Sequence, residues 1–350
     1  VECRRSRNPL VSVTIVTYNS ARYLDECLKS VFSQEYWPLE VVLVDNASSD
    51  ETRELLSDYE GLARVISNGR NTGFAAGQNQ AIAVARGDWV LALNPDVRLE
   101  PEFISRLVEA GQSDPNVGTV CGKLLRWLPE QDPPAPPRID STGIYFTPEL
   151  RHFDRGWDEP DDGRYNRTEY VFGASAAAAL YRRPMIEDIA LPEGFFDPDF
   201  FCYREDADVA WRAQLLGWRC LYVPEAAGYH VRRVVPNRRR SAPPRLRMHS
   251  VKNRFLMRVN NVTWDLYRRH WLRITVRDLL VVAGCLLAEP VSLAAFWRLA
   301  PALVRARHKR RWIMERRRAS DEYLAAWFSG QAAPHAAPRP VASPAHAGDD

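Results

Sequence analysis

The residues with most chemical potential are carboxylates that follow apolar runs. Trp89-Val90-Leu91-Ala92-Leu93 stops on Asn94-Pro95-Asp96. Proline cannot continue a strand ladder, so Asp96 is expected just past the carboxyl end of a buried strand, where a carboxylate can hold a divalent cation and, through it, a diphosphate. A plain turn accounts for the same triplet. Further on, the aromatic stretch Phe195-Phe196-Asp197-Pro198-Asp199-Phe200-Phe201-Cys202-Tyr203 runs into Arg204-Glu205-Asp206-Ala207-Asp208. Acids crowded against apolar walls are acids with raised pKa, the tuning a general base needs; favourable placement in a first helical turn explains the same residues more simply. His230 follows a strand and is placed to reach the cation, although a single histidine is more often structural.

Positioning these groups takes a sheet. Val11 to Val16 and Glu40 to Val44 read as strands, Ala63 to Ile66 as a short one, and Trp89 to Leu93 as a fully buried one. Between them lie a helix with the apolar stripe Leu24, Leu28, Val31 and Phe32, a helix from about Asp50 to Tyr59, and a helix from Gln78 to Arg86. Strands alternating with helices give a mainly parallel sheet covered on both faces. Each strand ends in a polar cluster: Thr17-Tyr18-Asn19, Asp45-Asn46, Asn71 to Gly73, and Asn94 to Asp96. Four such clusters on one sheet edge suggest a nucleotide site. A helix over Pro101 to Gly111, strands over Val117 to Trp127, Ala176 to Tyr181 and Arg219 to Val223, and a proline-rich loop over Leu128 to Arg138 complete the expected body.

The net charge of +3 conceals an asymmetry: Arg232 to Arg318 holds 23 Lys and Arg against four acids, so the remainder is acidic. Interleaved Arg, Trp and apolar residues in that segment suit an anionic membrane surface, with nucleic acid or a solvated helical face as the alternatives. The longest apolar run, Leu279 to Ala288, is broken at Glu289-Pro290 and is too short for an uninterrupted span. Six scattered cysteines form no C-x-x-C pair and no signal-peptide pattern precedes Val11, which leads to the expectation of a cytoplasmic protein, peripheral on the inner face of the membrane. Ala332 to Asp350 reads as a disordered tail, within a final segment 329–350.

Taken together, Val11 to Asn19, Val44 to Ser48, Arg70-Asn71-Thr72-Gly73-Phe74-Ala75-Ala76-Gly77-Gln78-Asn79, Leu93 to Asp96, Gly194 to Asp197, Glu205 to Asp208, and Tyr222 to Glu225 with His230 resemble family 2 glycosyltransferases of the GT-A fold, and most closely their bacterial rhamnosyltransferase-like branch. The resemblance implies an α/β GT-A fold over 9–231, with a nucleotide-sugar half at about 9–127 and an acceptor half at about 139–231, followed by a basic helical membrane-associating region over 232–328. It implies inverting transfer of a sugar from a nucleoside diphosphate sugar, dTDP-rhamnose first and a UDP-sugar second. Asp206 matches the family's general base, with Glu205 beside it. Asp96 matches the last acid of the D-x-D-like motif and, with His230, would hold Mg²⁺ or Mn²⁺; the earlier acid is replaced here by Asn94-Pro95. Thr17, Tyr18, Asn19, Asp45, Asn46, Asn71, Gly73, Phe74, Asn79 and Asn94 fall on the donor side. Trp211, Arg232 and Arg254 are expected to meet the acceptor, a polyprenyl-pyrophosphate-linked glycan or a polysaccharide. The Q-x-x-R-W motif of processive members is represented by Gln214-Leu215-Leu216-Gly217-Trp218, without its arginine, which points to a single addition.

Three other readings compete. A nucleotidyltransferase would want a Gly-rich, cationic loop where Thr17-Tyr18-Asn19-Ser20 stands. A nucleic-acid binder would use the basic half but leave the aromatic and carboxylate stretch unexplained, so no nucleic-acid partner is expected. A degenerate glycosyltransferase would bind donor without turnover, for which only the missing first carboxylate argues.

Overall fold

The computed structural model describes residues 8–127, 136–232 and 243–329. The chain runs β1 (Val11–Thr17), α1 (Ala21–Phe32), β2 (Leu39–Asp45), α2 (Thr52–Ser57), β3 (Arg64–Ser67), α3 (Phe74–Val84), β4 (Trp89–Leu93), β5 (Val97–Leu99), α4 (Phe103–Gln112) and β6 (Val117–Arg126). It continues with β7 (Ile139–Ser141), β8 (Ile144–Phe146), β9 (His152–Asp154), β10 (Glu169–Val171), β11 (Ala178–Arg182), α5 (Arg183–Ile189), α6 (Glu205–Leu215) and β12 (Arg219–His230). Four further helices follow: α7 (Pro244–Asn261), α8 (Trp264–Leu287), α9 (Ala294–Glu315) and α10 (Asp321–Trp327).

The main sheet has the order β10-β12-β6-β11-β4-β1-β2-β3, with β5 on β12 and β7 on β6. β3, β2, β1 and β4 are parallel; β11 enters antiparallel between β4 and β6; β6 and β12 resume the first direction. The alternation in β1 explains its two neighbours. Val11, Val13 and Ile15 join Leu24, Leu28 and Val31 of α1 in one core, while Thr14 on the opposite face hydrogen-bonds Gln78 of α3 at 2.8 Å. The amide of Ala21 at the start of α1 is satisfied from outside the helix, by Asp50 at 3.1 Å, and the same carboxylate accepts the Thr52 amide at the start of α2.

Two elements differ from the sequence expectation. α3 begins at Phe74 rather than Gln78, because Gly73, with φ 89°, makes the turn that starts the helix four residues earlier. β12 does not stop at Val223 but continues past a register shift to His230, so the histidine rides on the sheet itself. The proline-rich loop falls largely, and the final tail wholly, outside the described residues.

The C-terminal helices are part of the same packing. Leu256, Met257, Ile313, Leu324 and Phe328 join the cluster that contains Trp211 and Phe172. Much of the basic surplus is matched by the acidic body: Lys309 pairs with Asp197 and Asp199, Arg305 with Asp199, and Arg318 with Asp188. α8 is the exception, with most of its length uncovered. No helix among the described residues is long and apolar enough to cross a membrane.

Candidate active site

The strand ends bring the polar clusters to one edge, since Thr17, Asp45 and Ser67 are in register and Leu93, level with Ile15, ends just short of them. Asp45 is buried and accepts from Arg53 Nε at 3.1 Å and the Ser48 amide at 3.2 Å. Asn46 spans the edge, donating to Gly73 O and accepting from Asn68 and Thr72. Asn71 takes the Gly73 amide at 2.9 Å, Asn19 sits at φ 51° and accepts the Ser49 amide, and Tyr18 stands half-exposed at the rim. Asn94 is half-buried beside them, with its backbone fixed to Ala177 O. Thr17, Phe74 and Asn79 serve the frame. Thr17 is buried against Val44 and Asp45, Phe74 packs edge-on to Phe196, and Asn79 makes a two-way clasp with the Phe196 backbone at 2.7 and 2.9 Å.

Past Leu93, Asp96 faces His230: Nε2 lies 3.4 Å from Asp96 Oδ1, and Nδ1 is held by Asp140 at 2.7 Å. Burial alone would lower the His230 pKa, but Asp140 and Asp96 outweigh it and push it up to about 10. Asp140, on β7, was missed from the sequence because it lies ninety positions from His230 and carries no motif. An imidazole turned by a carboxylate toward a second oxygen ligand is the usual arrangement of a metal-ligating histidine. Asp96 and His230 fit a hard divalent cation that would take the place of the proton on Nε2, the position which the two carboxylates make favourable for positive charge. No cluster of three His, Cys, Asp or Glu suited to a metal occurs among the described residues, so diphosphate oxygens and water would fill the other positions.

The three acids of α6 have separate surroundings. Asp208 is buried in an ion pair with Arg212 at 2.8 Å and also accepts from Asn261; Arg212 in turn caps the carbonyls of Ile189 and Phe195. Glu205 is buried with Oε2 unpartnered, and burial together with the charge of Asp206 pushes it up to about 8. Asp206 is the accessible one. Burial and the nearby charge of Asp154 push it up to about 6, against the amides of Ala207 and Ala176, which hold its carboxylate.

The loop that delivers these acids is strained. Phe201, Tyr203 and Arg204 all have left-handed φ, between 67° and 72°. Such strain persists only where surrounding structure over-determines it. Here Asn253 of α7 donates to three loop carbonyls, Phe200, Cys202 and Tyr203, at 2.7 to 2.9 Å, and Arg204 Nε reaches Ser250 O. The loop also touches the polar strand-end edge. A Cβ on Gly73 would sit 2.5 Å from Phe201 O, so the close approach requires glycine there.

Arg232 closes the site from behind, 2.9 Å from Asp140 and 2.6 Å from Asp154. Trp211 does not meet an acceptor: it is fully buried among Phe146, Phe172 and Phe328, because the inward face of α6 points into the core. Beside Asp154 opens a cavity of about 550 Å³, whose lining includes Tyr145, Phe153, Trp157, Glu159 and Tyr165.

The sequence profile of Glycosyl transferase family 2 matches residues 12–189, more than half of the chain. The chain belongs to this family. It is a glycosyltransferase of GT-A type, and the matched span carries the polar strand-end edge and Asp96. Among curated relatives it is similar to an N-acetylglucosaminyl-diphospho-decaprenol L-rhamnosyltransferase of Mycobacterium tuberculosis, 27% identical over 258 residues, 63% of this chain and 76% of that one. Among solved structures it resembles S. aureus TarS 1–349 in complex with UDP-GlcNAc (TM-score 0.53, 19% identity, 87% of this chain and 90% of that one). It also resembles the mannosyltransferase PcManGT from Pyrobaculum calidifontis in complex with GDP-Man and Mn²⁺ (TM-score 0.51, 19% identity, 88% of each chain).

Proposed function

We propose that this family 2 enzyme makes a single inverting transfer of a sugar from a nucleoside diphosphate sugar to a hydroxyl of a lipid-linked acceptor in bacterial envelope glycan synthesis. dTDP-rhamnose is the first donor to test and a UDP-sugar the second. The observation that carries the reading is the division of labour in α6: of three adjacent acids, only Asp206 is both accessible and raised to about 6. An acceptor hydroxyl is a weak nucleophile, and a carboxylate with that pKa is ionised at neutral pH yet basic enough to take its proton as the new bond forms. Glu205, raised to about 8, stays neutral and adds no second charge.

On the leaving-group side, Asp96 and His230 would hold Mg²⁺ or Mn²⁺, which neutralises charge gathering on the departing diphosphate. Asn46, Asn71 and Asp45 shape the nucleoside pocket at the strand ends. The aromatic cavity beside Asp154 suits the sugars of the acceptor, whose C–H faces stack on rings while hydroxyls meet carboxylates. Gln214, the remnant of the processive motif, is engaged internally with Phe172 O and Tyr323, which agrees with a single addition. The uncovered face of α8 carries Trp264, Trp271, Leu279, Leu280 and Leu287, all more than half exposed, among exposed arginines; it supports peripheral attachment to an anionic bilayer.

The test is nucleoside diphosphate release from a panel of dTDP-, UDP- and GDP-sugars with a sugar-diphosphate-prenyl acceptor, with and without Mn²⁺. Release that requires one donor, the acceptor and the metal supports the reading. Donor binding without release under all conditions sinks it in favour of a binding protein.

A further inference from the structure

Behind the catalytic acids lies a group of arginines whose N–H groups are not all satisfied among the described residues. Arg254 of α7 is 5% exposed, yet its Nε and Nη2 are buried without hydrogen-bond partners. Arg258 Nη1 and Arg277 Nε are in the same condition. One carboxylate, Asp278, serves them: it bonds Arg258 at 2.7 Å and stands 3.7 Å from Arg254 Nε, too far for a hydrogen bond. Arg151, just before β9, lies 4.4 Å over the Phe153 ring and is near enough to be repelled by Arg277. Burial and the repulsion of Arg258, Arg277 and Arg151 outweigh Asp278 and push Arg254 down to about 10. His152, the next residue, is half-buried, bonded to Arg204 at 2.8 Å, and held well below its usual range by desolvation and the surrounding arginines, so it adds no further positive charge. Buried cations are ordinarily paired, and buried donors are ordinarily satisfied. Here one carboxylate is shared between Arg254 and Arg258 while several guanidinium N–H groups stay unsatisfied among the described residues, an arrangement suited to an anion.

The surroundings say which anion. Among the described residues, Asp278 pairs with Arg254 and Arg258, and Glu149 attracts Arg151, so named carboxylates are fewer than the four arginines. A diphosphate carrying a group at each end bears two negative charges, and guanidinium pairs bind its oxygens bidentately. On one side of the cluster, Arg204 leads directly into Glu205 and Asp206, and β9 leads into Asp154. On the other, Arg277 lies in α8 between the exposed apolar residues Leu272, Val276, Leu279 and Leu280. The order from the catalytic acid outward is carboxylate, arginines, apolar helix face. That is the order of a sugar hydroxyl, a diphosphate and a hydrocarbon chain.

We propose that Arg151, Arg254, Arg258 and Arg277 form a second anion site, separate from the donor's, that holds the diphosphate joining the acceptor sugar to its lipid. The acceptor assignment rests on the function proposed above; the anion site rests on the unpartnered guanidinium groups alone. The two are tested separately. The full chain is titrated with inorganic diphosphate in EDTA, which removes the cation that the donor site uses, and binding is followed by calorimetry and by melting temperature. The wild type is expected to bind. Arg254→Met is expected to weaken binding roughly tenfold or more, and to melt no lower than wild type without diphosphate, because it removes a buried charge that three neighbouring arginines repel. Arg277→Gln, at a less buried position, is expected to weaken binding in the same direction. Absence of binding by the wild type, or equal binding by both variants, overturns the proposal. So does a lower melting point of Arg254→Met without diphosphate, which would make the arginine a structural strut.

A second arm separates acceptor from bilayer. With a sugar-diphosphate-alkyl acceptor Arg254→Met raises KM, whereas with the same sugar as a plain alkyl glycoside it does not. If Arg254→Met instead weakens binding to phosphatidylglycerol vesicles in parallel with diphosphate, the cluster reads headgroups and the acceptor assignment falls. Diphosphate binding that depends on Arg254, in an enzyme that transfers no sugar from any donor, would uphold the site and refute the function.

Discussion

Three carboxylates within four positions of α6 are set to three different tasks by what covers them. Asp208 is neutralised by Arg212, Glu205 is kept protonated by an apolar enclosure, and Asp206 stays accessible. The rate of transfer is expected to rise with pH through about 6, as Asp206 loses its proton, and then to level; a pH profile of kcat/KM with saturating metal measures it. A flat profile between pH 5 and 7 would remove Asp206 from the chemistry. Glu205 makes a separate claim on stability. Its folded pKa of about 8 lies above the ordinary 4.5, so between those values the folded chain keeps a proton that the unfolded chain has lost. Wild-type stability should therefore fall relative to Glu205→Gln as pH rises across that window, which melting temperatures of the two proteins at pH 5, 7 and 9 would show. The family resemblance singled out Asp206 as the expected base, but the separate surroundings of Glu205 and Asp208 were not readable, because burial and partners decide them and come from distant segments. Trp211 illustrates the point: its position beside the acids suggested the acceptor, yet its helix face put it in the core.

At the scale of elements, the site depends on segments that look peripheral. α7 lies outside the sheet, yet Asn253 on it fixes three carbonyls of the strained loop. Replacing Asn253 by alanine strands those carbonyls and is expected to cost about 1–3 kcal/mol of stability. It should lower kcat more than it changes donor affinity, because the base loop loosens while the strand-end pocket stays whole. Equal kcat with only a lower melting point would make Asn253 a purely structural tie. The strands and helices of the first half were legible from alternation and apolar spacing, since β1, β2 and β4 are buried runs bounded by turn residues. The extension of β12 to His230 was hidden by Pro224 and Gly228, which read as a break but are accommodated by a register shift. Asp140 was hidden for a different reason: β7 is three residues long and leaves no periodicity to detect.

At the scale of the whole molecule, the charge asymmetry has two destinations. Basic residues on α9 and just beyond it bind the acidic body through Asp197, Asp199 and Asp188, which fastens the aromatic wall under the base loop. What remains uncovered is α8 and the start of α9, where Leu287 and Trp297 are 87% and 85% exposed. Changing both to glutamate touches no packed contact, so the melting temperature should hold. Co-sedimentation with anionic vesicles should drop, since each apolar side chain fully inserted is worth about 1.5–3 kcal/mol. Undiminished sedimentation would place the membrane contact elsewhere.

The central claim, that Asp206 takes the acceptor's proton, is tested most directly by Asp206→Asn, with single-turnover transfer and donor binding measured on the same preparation. The account expects transfer slowed about 10²–10⁴-fold while the donor dissociation constant stays within roughly twofold of wild type. Transfer at a near wild-type rate by Asp206→Asn would contradict it and move the base to another residue.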